Sequence, residues 1–136
     1  MSFVTSNFLL IGLAVISGGM LLWPSLKSSR GGASVTAGEA VLMINRQNAL
    51  VLDVRDEAEF ALGHIGEAKN IPLSALENRL KELAKFKSKP VIVNCQGGVR
   101  SAKASDILRK NEFTQVHNLQ GGLNAWIQAK LPIIKA

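Results

Sequence analysis

No charged side chain occurs before Lys27. All 16 Lys and Arg and all 10 Asp and Glu of this 136-residue chain follow Leu26, as do both histidines. A folded domain spreads charge over its whole surface, so this asymmetry divides the chain in two. Residues 3–23 carry no charge, and as a helix rising about 1.5 Å per residue they would reach about 31 Å. That matches a bilayer hydrocarbon core of about 30 Å. Asn7 sits toward one end, Trp23 suits the headgroup level at the other, and Pro24 stops the helix. A cleaved signal peptide would need basic residues before the run, a shorter apolar core and a small-residue cleavage site. A buried core helix of this length exceeds what a domain of about 100 residues hides. Residues 1–26 are therefore expected to form a transmembrane anchor helix.

The flanks orient it. Lys27 and Arg30 follow the span and no Lys or Arg precedes it. The positive-inside rule then places the rest of the chain in the cytoplasm. A single unpaired cysteine suits a reducing compartment. The expectation is a single-pass protein of the inner (cytoplasmic) membrane of a bacterium, held to the membrane by residues 3–23. Ala14 and Gly18 have the small-xxx-small spacing through which such anchors pair into homodimers.

Residues 27–34 (KSSRGGAS) read as a flexible linker. Residues 35–136 read as one domain, with charged residues at about 24% of the non-anchor part, the usual share for a globular fold. Its one cysteine, Cys95, excludes an internal disulfide and a Cys-built zinc site, and nothing in the sequence calls for a cofactor or metal. The net charge of +6 permits attraction to anionic lipid or small anions. With aromatics at 5% and no tyrosine, that charge is weak evidence for nucleic-acid binding, and no nucleic-acid partner is expected.

Two capping boxes are written in the sequence, Thr36-x-x-Glu39 and Ser74-x-x-Glu77. The first predicts a helix through Ile44. The second predicts one that buries Leu76, Leu80 and Leu83 on a single face. Short β-branched runs predict strands at 50–54, 91–94 and 116–119. Further helices are predicted over 101–110, burying Ala104, Ile107 and Leu108, and over 122–130. Strands alternating with helices imply an α/β fold with a central parallel sheet, whose ligands sit outside the strand carboxyl ends. Cys95 falls at that edge.

The segment PVIVNCQGGVRSAKASDILRK reads strand, tight loop, helix. Gly97 and Gly98 let the backbone curl and bring its N–H groups to a ligand. A helix from Ser101 would aim its positive dipole end at the same point. Arg100 would add a fixed charge with a fork of donors. Together these cradle an anion around a sulfur, and they favour thiolate over thiol, which makes Cys95 a candidate nucleophile.

Four segments in order, LVLDVRDEAEF, GHIGEAKNIPL, VIVNCQGGVRSAKA and VHNLQGGLNAW, resemble the rhodanese-like sulfurtransferase domain over residues 37–134. The resemblance implies a rhodanese fold with a parallel sheet flanked by helices. It implies that Cys95 takes a sulfane sulfur as a persulfide and passes it to a thiol or cyanide acceptor. The loop backbone from Gln96 through Gly97, Gly98 and Val99 to Arg100 would hold the persulfide and the anionic part of the donor. The donor would be thiosulfate or a low-molecular-weight persulfide, and the neutral Gln96 departs from the basic loops of thiosulfate-preferring members. Asp53 and Arg55 would be structural, with Arg55 tying down loops. Phosphatases of the cell-cycle type and arsenate reductases that share the fold have five residues between Cys and Arg, whereas this loop has four. A non-enzymatic docking module at the membrane is a further reading, although such modules usually lack the cysteine.

His64 is open to two readings, a general base near the thiol or an imidazole fixing the 63–66 turn, and the second is expected. Trp126 is expected in the core. The run Arg79, Lys81, Lys85, Lys87 and Lys89 is expected to be a solvated helix face, which in an anchored domain would also meet anionic headgroups at about 1 kcal/mol per residue.

Overall fold

The computed structural model describes residues 33–135. The predicted anchor and most of the linker lie outside them. Among the described residues no helix is long and apolar enough to cross a membrane.

Five parallel strands form the sheet: β1 (Ser34–Val35), β2 (Leu50–Asp53), β3 (Lys69–Asn70), β4 (Val91–Asn94) and β5 (Val116–Leu119), in the order β1-β5-β4-β2-β3. The α-helices are α1 (Ala37–Gln47), α2 (Glu57–Leu62), α3 (Val99–Lys110) and α4 (Gly122–Gln128). Alternation along β2 and β4 sends neighbouring residues to opposite faces. Leu52, Val91 and Val93 pack with Leu76, Leu83, Ala104 and Leu108 on one face. Val51 and Ile92 pack with Ala40, Leu119, Leu123 and Trp126 on the other. Each of the Val, Leu and Ile side chains among them gains about 1.5–3 kcal/mol on burial. Cys95 continues the parity of Val91 and Val93 and joins the first cluster.

Four expectations are corrected. Ser34, expected in the linker, pairs with Asn118 in β1, and the Asn118 N–H donates to Ala33 O at 2.9 Å. The helix expected from Ser74 is instead two 3-10 segments, Leu73–Ala75 and Glu77–Phe86, with no side-chain cap at either start. Leu83 is buried in the core and Leu80 and Phe86 pack against it, so the segment still turns one apolar face inward. The cysteine loop is shorter than expected, because α3 begins at Val99 rather than Ser101. The last helix stops at Gln128, and Lys130 takes a positive φ of 62°. The Thr36 box forms in full, with Glu39 N–H donating to Thr36 Oγ1 and Thr36 N–H to Glu39 Oε1, each at 3.2 Å.

Candidate functional site

The carboxyl ends of β2 and β4 lie side by side, with Asp53 in register with Asn94. That places whatever follows β2 against whatever follows β4. Cys95 follows β4 and is 1% exposed. Its Sγ accepts hydrogen bonds from the N–H of Gly98 at 3.0 Å and of Ser101 at 3.4 Å, and lies 3.2 Å from Ser101 Oγ. Burial by itself pushes the thiol up, but the Ser101 hydroxyl and the N–H groups of Ser101, Gly98 and Gly97 outweigh it, so the net shift favours thiolate. Gly98 allows this curl: its φ is +102°, where a side chain would be strained.

A second pair of glycines supports the loop from below. Gly122 (φ +58°) lies so close that a Cβ there would collide with Cys95 O and Gln96. The approach lets Leu123 N–H donate to Cys95 O at 2.8 Å and Asn124 N–H to Gln96 O at 3.1 Å. The start of α4 therefore fastens the loop backbone while the loop's own N–H groups face the sulfur.

Arg100 departs from expectation. It lies in the first turn of α3 and its guanidinium is not free for an anion in the loop. Nη1 and Nη2 form a two-pronged pair with Glu59 of α2, at 2.7 and 3.0 Å. Glu59 is brought there by α2, which directly follows β2, and its carboxylate is the partner the guanidinium takes. Arg100's hydrogen bonds, opposed by some burial and aided by the Asp56 N–H, hold the Glu59 carboxyl down at about 2. Val99, expected to contribute its backbone to the loop, is the first residue of α3 and is 72% exposed.

Asp53 and Arg55 are both buried. Arg55 Nε and Nη2 donate to the Asp53 carboxylate at 2.8 to 3.1 Å, Nη2 also donates to Gly63 O at 2.7 Å, and Nη1 reaches Gln96 Oε1 at 3.3 Å. One guanidinium thus links the β2 end, the end of α2 and the cysteine loop. His64 is buried, stacks on Phe60 with ring centroids 3.7 Å apart, and donates from Nδ1 to Phe60 O at 2.8 Å. Its backbone bridges to Ile134. Trp126 is buried and donates from Nε1 to Pro132 O at 2.9 Å.

Three residues of the site were not singled out by sequence reasoning: Glu59, Ser101 and Asn118. Ser101 Oγ–H donates to Asn118 Oδ1 at 2.5 Å, and Asn118 Nδ2 donates to Gly98 O at 3.2 Å. Asp56-x-x-Glu59 is a capping-box spacing that could have revealed α2. Asn118 carries no such signal. Among the described residues no cluster of His, Cys, Asp and Glu could hold a metal ion.

Comparison with known proteins places these features in a wider set. The model of the rhodanese-like domain matches residues 36–129. The uncharacterized protein YqhL of Bacillus subtilis is 46% identical over 80 residues, which cover 59% of this chain and 62% of YqhL, so the chain spans less than two thirds of that relative. A sulfurtransferase of Allochromatium vinosum is 33% identical over 92 residues, covering 68% of this chain and 84% of its own. A tRNA uridine(34) hydroxylase of Cronobacter sakazakii is 30% identical over 104 residues, covering 74% of this chain and 30% of that protein. The crystal structure of a rhodanese-related protein from Thermoplasma volcanium superimposes with a TM-score of 0.68 at 31% identity, covering 75% of this chain and 97% of that one.

Proposed function

The chain belongs to the rhodanese-like domain family, and from that premise we propose that it is a sulfurtransferase with Cys95 as the persulfide carrier. The observation that carries this reading is the sulfur itself, buried between the Gln96–Gly97–Gly98 loop and the start of α3, with the N–H groups of Gly98 and Ser101 aimed at it. In the first step the Cys95 thiolate attacks the outer sulfur of a donor such as thiosulfate or a persulfide. The donor S–S bond breaks, and sulfite or a thiolate leaves with the electron pair. In the second, an acceptor thiolate or cyanide attacks the terminal sulfur and returns Cys95 as thiolate. No external oxidant or reductant is consumed. The N–H groups stabilise negative charge on sulfur in both states, and Asp53 and Arg55 hold the loop ends rather than react.

Mass spectrometry tests the proposal. The purified chain exposed to thiosulfate or glutathione persulfide should gain the mass of one sulfur atom on Cys95. Absence of an adduct with every donor, or an adduct that persists in Cys95→Ser, would overturn it. Tethering by residues 3–23 with the domain in the cytoplasm is the second part of the proposal. It rests on the uncharged run and on Lys27 and Arg30, and a reporter fused at the C-terminus tests the placement.

A further inference from the structure

Two features beside the loop point the same way. The first is charge. Each guanidinium at the loop already holds a carboxylate, Arg100 with Glu59 and Arg55 with Asp53, and Gln96 is neutral. An incoming donor meets N–H dipoles and paired charges, a poor match for a small dianion such as thiosulfate. The second is an apolar cleft. A cavity of about 370 Å³ adjoins the loop at Gln96 and is walled by Leu62, Leu123, Ile127 and Ile133, with Arg55 and Glu59 on the loop side. Leu62 is 76%, Ile127 47% and Ile133 38% exposed. Leaving large aliphatic side chains open to water at one concave place forgoes burial energy, and apolar patches of this kind mark binding sites.

We propose that this cleft takes the hydrocarbon body of an organic hydropersulfide, R–S–SH with R apolar and uncharged. This inference rests on the sulfurtransferase reading and names its donor class. The Cys95 thiolate attacks the outer sulfur and the S–S bond of R–S–SH breaks. R–S⁻ leaves with the bonding pair while its R group lies against Leu62 and Ile127. The terminal hydrogen stays on the new Cys95–S–SH, so atoms and electrons balance without a co-reactant.

The test is a donor series on the purified full-length chain: methyl, butyl and hexyl hydropersulfide against thiosulfate, scored by kcat/KM and by the mass of Cys95. In the wild type kcat/KM should rise about two- to fourfold for each methylene the cleft covers. Hexyl hydropersulfide should exceed thiosulfate by at least about tenfold. Ile127→Asn and Leu62→Asn, at partly or largely exposed positions, should flatten the series. A flat series in the wild type, or a preference for thiosulfate, with Cys95 persulfide still forming, overturns this proposal alone. No persulfide from any donor overturns the sulfurtransferase reading and this proposal with it.

Discussion

Asn118 offers a sharp test of how the site sets the charge on its sulfur. Gly98 O can only accept, so the carboxamide must turn Nδ2 toward it and Oδ1 toward Ser101. The single hydroxyl hydrogen of Ser101 then goes to Asn118, and Ser101 Oγ meets Cys95 as an acceptor for S–H. When Cys95 ionises, the thiolate must recruit that hydrogen and Asn118 Oδ1 loses its donor. A neutral hydrogen bond has a net worth of about 1 kcal/mol, which is about fivefold in the thiolate-to-thiol ratio. Asn118→Leu removes this competition, so thiolate should rise about fivefold at pH values below the midpoint. Ser101→Ala does the reverse, because a hydrogen bond to an ion is worth about 1.5–3 kcal/mol, and thiolate should fall about tenfold or more.

The assay is the pH dependence of thiolate ultraviolet absorbance, taken as the difference from Cys95→Ser. The chain has one cysteine and no tyrosine, so no other thiol or phenol contributes. The Asn118→Leu midpoint should move to lower pH, and adding Asn118→Leu to Ser101→Ala should change nothing further. An unmoved Asn118→Leu midpoint, or an equal effect in the Ser101→Ala background, would refute the relay.

Asp53→Ala strands a buried guanidinium, so it should cost about 3–5 kcal/mol in denaturant unfolding. Gly122→Ala puts a Cβ into the cysteine loop backbone, and should slow Cys95 persulfidation at least about tenfold while far-ultraviolet dichroism stays helical. Glu59→Gln unpairs Arg100 beside the loop, and should raise kcat/KM for thiosulfate relative to organic hydropersulfides. The Glu59 carboxyl lies below its ordinary 4.5, at about 2, so the ion pair contributes stability above pH 4.5 that is lost as pH falls toward 2. The pair is about one-third exposed, so this contribution is at most about 1 kcal/mol, and acid unfolding of Glu59→Gln should lack that part of the slope.

Local patterns in the sequence determine much of this protein. The Thr36–Glu39 box starts α1, because four residues contain both donors and both acceptors of the cap. β-branched runs mark β2, β4 and β5, and the parity of Val91 and Val93 carries Cys95 to a buried strand end. Two glycines after it dictate a loop that curls toward the sulfur. Where local rules compete, they mislead. Ser74-x-x-Glu77 has the letters of a capping box, but no side-chain cap forms there and the segment winds as 3-10 turns with Leu83 in the core.

Tertiary structure alone decided the electrostatics of the site. Glu59 and Arg100 are 41 positions apart, and they meet because β2 and β4 are neighbours whose carboxyl ends coincide. That pairing converts the expected free cation of the loop into half of a neutral couple. Asn118 reaches Ser101 and Gly98 from β5, and Gly122 reaches Cys95 from the start of α4, for the same reason. The chain's own letters place the Cys95 sulfur beside backbone N–H groups. Which charges stand beside that sulfur depends on strand order, because Coulomb and hydrogen-bond energies depend on distances in space that sequence separation does not set.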